Sequence, residues 1–247
     1  MKTLAVVQHT SSEYLGLIED HLEGRRIRFR YFRPFTAGGK LPGAADLGDG
    51  LVLLGGGPHG AAPGEHCLPT LAQEVALTAA ALAAGRPVIG IGLGAQVLIL
   101  ASGGDVRPAP LVFEVGTASR TRDDALAGFL PVRYPLVRYG RDEPVLPPHA
   151  RVLARDDAGR PALFECAERA FGFSGHPGVK SAMIEDLIME FAAGPADPER
   201  GLLALRAARV AIEDALVPIM TGLVQCTGLM EEATAGGAAG RPGAAGG

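Results

Sequence analysis

The sequence predicts an α/β fold, and two observations carry the prediction. Short apolar runs of strand length alternate with helical stretches along the chain. One of these runs turns through glycines directly into an apolar helix. Pro87-Val88-Ile89-Gly90-Ile91 has the length and composition of a buried parallel strand. A tight glycine turn follows, and the helix then runs to Gly103-Gly104. Such a turn pushes its tip residue out at the top of the sheet, beside free N–H groups able to hold an oxyanion. It is strained and crowded, and Gly90 and Gly94 meet that demand. An acyl-transfer enzyme carries Ser or Cys at the tip. This chain carries Gly92, which has no side chain.

The elements before the turn fit the same pattern. Thr3 to Val7 reads as a buried strand, and Ser11 or Ser12 is placed to cap a helix from Glu13 to Leu22, ended by Gly24. Ile27 to Phe32 alternates apolar residues with Arg, which suits a strand with one wet face near a sheet edge. Pro34 to Gly48 is a Gly/Pro loop, and Leu51 to Leu54 is a third buried strand leading into Gly55-Gly56-Gly57-Pro58. His59 follows directly and reads either as a catalytic residue or as a surface-loop histidine. The loop continues past His66 and Cys67, and the Ala-rich stretch Leu71 to Ala84 is a helix stopped by Gly85.

After the elbow helix come Val106 to Gly116 and a turn-rich span with Pro108, Pro110, Pro131 and Pro135. Val132 to Tyr139 is read as extended. Val152 to Ala154 and Ala162 to Cys166 are short strands joined by the turn Asp156-Asp157-Ala158-Gly159. Ala170 to Ser174 is a strand that delivers His176 at its end, where sites in α/β folds sit. Ser181 is placed to cap a helix to Ala193. A second helical segment runs from Gly201 to Leu216, Pro218 should interrupt it, and Ile219 to Met230 is again apolar. These last helices either pack on the domain or present a dimer or partner face. Residues 1–194 therefore read as one domain, 195–233 as a helical extension and 234–247 as a disordered Ala/Gly tail.

Composition narrows the function classes. The 247 residues are 47% hydrophobic and 20% charged, with a net charge of -4, so a core is available and no nucleic-acid surface is indicated. Cys67, Cys166 and Cys226 form neither a disulfide framework nor a metal-spaced cluster. No cofactor or metal is expected. There is neither a signal-peptide pattern nor an apolar run long enough to span a membrane, so the expected location is cytoplasmic.

Gly90-Ile91-Gly92-Leu93-Gly94-Ala95-Gln96 resembles the elbow of the class I glutamine amidotransferases, Gly-Ile-Cys-Leu-Gly-x-Gln, without its cysteine. Five further segments match in family order. They are Gly55-Gly56-Gly57-Pro58, Gly103-Gly104-Asp105-Val106, Glu114-Val115-Gly116, Leu146-Pro147 and Gly172-Phe173-Ser174-Gly175-His176-Pro177-Gly178. The last resembles Gly-x-Gln-Phe-His-Pro-Glu. The resemblance, to the glutaminase domain of GMP synthase and its stand-alone relatives, runs from the first strand to about residue 190. It implies a flavodoxin-like open, mostly parallel sheet with helices on both faces, plus C-terminal helices.

The resemblance also assigns roles. The family hydrolyses glutamine with a Cys nucleophile, a His base and an orienting carboxylate. Those positions fall on Gly92, His176 and Gly178, so two of the three groups are absent. Ser174 and Gly175 stand where the family has Gln and Phe, and its His-Gly-Asp stretch is reduced to Gly140-Arg141-Asp142. Gly56, Gly57, Leu93 and Gln96 occupy the ligand- and oxyanion-binding positions. The implied protein is a degenerate, non-hydrolytic binding, scaffolding or regulatory subunit of a partner enzyme. Its contacts would be a protein partner or homo-oligomer through the C-terminal helices, and a small amino-acid-like or carboxylate ligand. The alternative is a hydrolase with a relocated nucleophile such as Cys67 acting with His176. Cys166, in a strand, and Cys226, in an apolar helix, read as core.

Overall fold

The computed structural model describes residues 1–230. In chain order the elements are β1 (Thr3–Val7), α1 (Ile18–Gly24), β2 (Arg28–Phe32), β3 (Gly50–Leu53), α2 (Leu71–Ala83), β4 (Val88–Ile91) and α3 (Leu93–Ala101). Then follow β5 (Asp105–Arg107), β6 (Val112–Arg120), β7 (Arg133–Gly140), β8 (Glu143–Val145), β9 (Arg151–Asp156), β10 (Pro161–Ala167), β11 (Ala170–Phe173), α4 (Ser181–Glu190) and α5 (Pro198–Cys226).

Nine strands form one sheet in the order β2-β1-β3-β4-β11-β10-β9-β6-β7, and β5 pairs with β8 in a separate ribbon. The first five pair in parallel, and β10, β9, β6 and β7 extend the sheet by antiparallel pairing. The expected open α/β sheet with helices on both faces is therefore the fold of the chain. Period-2 alternation splits each inner strand between two cores. Leu4, Val6, Val52 and Ile91 pack with α1 and α5, while Ala5, Val7, Leu51 and Leu53 pack with α3 and Ala81 of α2. A third cluster joins β7, α4 and α5 through Val137, Tyr139, Met183, Leu187 and Leu205.

Three local expectations differ from the structure. Helix α1 begins at Ile18, not Glu13. Gly16 is left-handed, with φ of 63°, and a Cβ there would collide with the Gly178 carbonyl, so residues 13–17 are held as a non-helical approach to the 176–178 segment. Ser181 is the first residue of α4 and not its cap, which is Lys180. The nine-residue strand β6 covers part of the span read as turn-rich. Pro135 sits inside β7, an edge strand paired only with β6, where a missing N–H costs no ladder bond on the open side.

The two C-terminal helical segments are one helix, α5, which passes through Pro218 without ending. Tertiary contact outweighs the lost hydrogen bond there, since Leu216, Ile219, Met220, Leu223 and Val224 are buried in the main core. At the other end, the Asp197 side chain accepts the Arg200 N–H at 3.2 Å as an N-cap. Asp197→Ala should lower unfolding free energy by about 1 kcal/mol in chemical denaturation, with a null result if the cap is idle. The expected tail, residues 234–247, and the last residues of the expected extension, 231–233, lie outside the described residues.

Candidate functional site: a glycine elbow with an internal carboxyl

The predicted strand–turn–helix elbow forms as read. β4 ends at Ile91, Gly92 takes φ of 56° and ψ of -116°, and α3 starts at Leu93. Close packing dictates the flanking glycines. A Cβ on Gly90 would lie 2.7 Å from the Ala95 Cα, and one on Gly94 would lie 2.5 Å from the Leu53 Cβ. At Gly92 itself a Cβ would meet only the Gly55 Cα, at 3.5 Å. The tip has room for a side chain and carries none.

His176 follows β11 and is 8% exposed. Its main-chain N–H donates to the Val137 carbonyl at 2.9 Å, tying it to β7. Both ring nitrogens are occupied. Nδ1 accepts the Gly178 N–H at 3.1 Å, so Nε2 carries the proton and donates to the Tyr14 carbonyl at 2.9 Å. Burial pushes its pKa down to about 4, against the opposing pull of the Tyr14 hydrogen bond. The ring is neutral near pH 7, and neither nitrogen is free to take a proton from a group at the elbow tip.

Gly178 stands where the resemblance places the orienting carboxylate. A Cβ there would lie 2.9 Å from Ile18 Cγ1 and 3.3 Å from Leu216 Cδ2. The glycine thus suits the close packing of Ile18 and Leu216. A side chain at this position would need the Ile18 side chain to shift and its backbone and Leu216 to give by a few tenths of an ångström.

Glu13, which the sequence reading placed in a helix, is the unexpected member of the site. It is 4% exposed, and its Oε2 accepts the Gly57 N–H. Its carboxyl also fills the space a Cβ on Gly55 would need. Glu13, Gly92 and His176 line one enclosed cavity of about 10 Å³, room for a single water. Burial raises the Glu13 pKa to about 7, and the Gly57 N–H pulls the other way. The N–H of the expected oxyanion loop is therefore taken by the chain's own carboxyl. The signal that marks it in the sequence is the polar run Gln8 to Glu13, directly after the carboxyl end of β1.

A second buried pair supports the loop from behind. His9 Nε2 lies 2.8 Å from Glu74 Oε2, and His9 Nδ1 lies 3.0 Å from the Gly55 carbonyl. Both partners are acceptors, so both ring nitrogens donate and the ring is an imidazolium. Burial pushes the His9 pKa down, but the Glu74 hydrogen bond and charge, the Gly55 carbonyl and Glu13 together leave it raised. Glu74 also accepts from Thr70 Oγ1 at 2.6 Å.

On the other side of Gly92 a pocket of about 20 Å³ is lined by Gly56, Gly57, His59, Leu93, Gln96, Arg138, Tyr139, Arg141 and Ser174. Gln96 spans it as a backbone tie, with Nε2 donating to the Arg141 carbonyl at 2.7 Å and Oε1 accepting the Ala61 N–H at 3.3 Å. His59 packs edge-on to Phe191 at 6.2 Å. Burial and the nearby charges of His9, His66 and Arg141 lower its pKa. Three of the lining residues carry a buried polar atom with no hydrogen-bond partner: Tyr139 OH, Ser174 Oγ and Arg141 Nε. Asp142 is an anchor, accepting the Ala62 N–H at 3.0 Å and the Ala109 N–H at 3.1 Å.

The cysteines are elsewhere. Cys67 points at the Leu68 carbonyl, 3.8 Å away, and lines neither cavity at Gly92. Cys166 is buried in β10, which pairs with β11. Cys226 is partly buried and packs against the main core.

Sheet order, elbow and glycine loop together define the class: an α/β protein built around the scaffold of an amidase site. Residues 18–191 match the glutamine amidotransferase class-I family, and the chain belongs to that family. A GMP synthase [glutamine-hydrolyzing] from Aeropyrum pernix is 34% identical over 170 residues, 65% of this chain and 31% of that protein. The match thus spans about a third of the relative's length. The structure of a glutamine amidotransferase from Thermotoga maritima superposes with a TM-score of 0.76 at 22% identity, covering 92% of this chain and 98% of that one. A glutamine amidotransferase from Methylobacillus flagellatus gives a TM-score of 0.69 at 24% identity, covering 93% of each chain. Among the described residues no helix is long and apolar enough to cross a membrane, and no cluster of metal-ligating side chains occurs.

Proposed function

We propose that this chain is a non-hydrolytic member of its family, acting as a binding, scaffolding or regulatory subunit of a partner enzyme. The observation that carries this reading is the Glu13 carboxyl on the Gly57 N–H, inside the cavity shared with Gly92 and His176. Amide hydrolysis through a covalent intermediate needs a nucleophile, a free base and vacant donors for the developing oxyanion. Here the first is missing, the second has both nitrogens engaged and a donor of the third is occupied from within. The packing of Ile18 and Leu216 around Gly178 fits a site adapted to the loss. Cytoplasmic residence belongs to the same proposal.

The test is glutamate release from glutamine by the purified chain, alone and with whatever co-purifies, beside Gly92→Cys and His176→Ala. We expect no release above the His176→Ala background, from Gly92→Cys as well, because a thiol at the tip still faces an engaged imidazole. Release by the natural chain above that background overturns the reading. It would also reopen a nucleophile such as Cys67, which nothing in the geometry supports.

A second reading rests on the unpartnered Tyr139 OH, Ser174 Oγ and Arg141 Nε. Buried polar atoms without partners are costly, and three on residues that line one small pocket suit a small carboxylate or amino-acid-like ligand. Titration calorimetry with glutamine and glutamate tests it. Heat lost in Tyr139→Phe supports the pocket, and no heat from the natural chain removes this reading.

A further inference from the structure

Helix α5 carries an apolar stripe that faces away from the molecule. Leu203, Val210 and Val217 are 66%, 57% and 52% exposed, whereas Leu205, Ile212, Leu216 and Ile219 on the opposite side are buried. The three exposed residues are seven apart, so they stay on one face of the helix. They span about 21 Å at 1.5 Å per residue. Exposed Ala207 and Ala211 flank Val210 and allow close approach of a second backbone. Two charges of opposite sign sit symmetrically about Val210 on this face. Arg206 is exposed four residues before it, and Asp214 is exposed four residues after it.

We infer that this face binds a second copy of the chain, α5 against α5 in antiparallel orientation, with a two-fold axis through Val210. A two-fold there sets each residue against the one equally far on the other side of position 210. Leu203 then meets the partner's Val217, Val210 meets the partner's Val210, and Arg206 meets the partner's Asp214. Asp214 has no ion-pair partner within the described residues, and Arg206 reaches only Glu185 on α4, at 2.7 Å. The parallel alternative sets Arg206 against the partner's Arg206 and Asp214 against the partner's Asp214, which repels at both ends. Charge therefore selects the antiparallel pair, and the stripe fixes its register. The inference does not depend on whether the chain hydrolyses glutamine.

Sedimentation equilibrium of the full chain between about 1 and 100 µM tests it. Dimers are expected for the natural chain. Val210→Asp places two carboxylates on the axis and should weaken association at least about tenfold, as for a central interface residue, with the monomer's melting temperature little changed because the position is exposed. Arg206→Asp should weaken the dimer, Asp214→Arg should do likewise, and the double variant should regain much of the loss. A monomer across the whole range overturns the inference. So does a dimer indifferent to Val210→Asp, which would put the contact on another face, or a charge-swapped double variant no tighter than its parents.

Discussion

His9→Ala is expected to destabilise the fold by about 3–5 kcal/mol, the cost of removing one partner from a buried ion pair. His9 and Glu74 side chains are fully buried and 2.8 Å apart. Removing the imidazolium leaves the Glu74 carboxylate without its counter-charge in a low-dielectric interior, with only Thr70 Oγ1 to bond. The Gly55 carbonyl also loses its donor, and with it the Gly55-Gly56-Gly57 turn loses an anchor. His9→Ala/Glu74→Ala should cost less than the sum of its parents, because the second change removes the orphaned charge. Urea unfolding of the three variants reads the coupling. Strict additivity would show that the pair is not an interacting unit. The raised pKa of His9 adds a sign. A histidine whose folded pKa lies above its unfolded value of 6.5 contributes stability that is present below pH 6.5 and lost as pH rises through the folded pKa.

The elbow was legible in the sequence because its physics is local. Four residues of buried strand, a turn needing φ above zero and a helix with no room for Cβ at Gly90 and Gly94 leave few residue choices, and those choices are visible in one line. The family order of the motifs carried the sheet in the same way. Glu13 was not legible. Its segment has Ser caps, a Glu and a Leu at helical spacing, and local propensity alone favours a helix. The helix is overridden at Gly16, whose backbone packs against Gly178, 162 positions away in the chain. The engagement of His176 is hidden for the same reason, since its partner is a main-chain carbonyl and any residue at position 14 would supply one. Pro218 misled in the opposite direction. A proline in an isolated helix ends it, but Leu216, Ile219 and Leu223 are held on either side of it by the core. What sequence reading misses here is consistently a contact between distant segments that outweighs a local rule.

Glu13→Gln is expected to stabilise the chain at pH 8 by about 3 kcal/mol while changing little at pH 4.5. The Glu13 pKa rises from 4.5 to about 7 on folding, and at about 1.4 kcal/mol per unit this linkage is on the order of 3 kcal/mol. A carboxyl whose folded pKa is raised binds more protons in the native state than in the unfolded one between those values. Stability therefore falls as pH climbs from about 4.5 to about 7. The glutamine amide keeps an oxygen for the Gly57 N–H and never ionises. His176 has the opposite sign. Its pKa drops from 6.5 to about 4 on folding, so the native state binds fewer protons across that window and stability rises with pH there. In the natural chain the Glu13 and His176 slopes oppose one another between about pH 4.5 and 6.5, and the lowered pKa of His59 adds to the His176 sign. Removing the Glu13 titration removes the opposing slope, so the gap between Glu13→Gln and the natural chain should widen from about pH 4.5 to about 7 and then level off. Denaturation midpoints at pH 4.5, 6 and 8 for both proteins measure the difference. A stability gap that stays constant with pH would mean that Glu13 does not change its proton affinity on folding, and that its carboxyl is not the buried ligand of the Gly57 N–H.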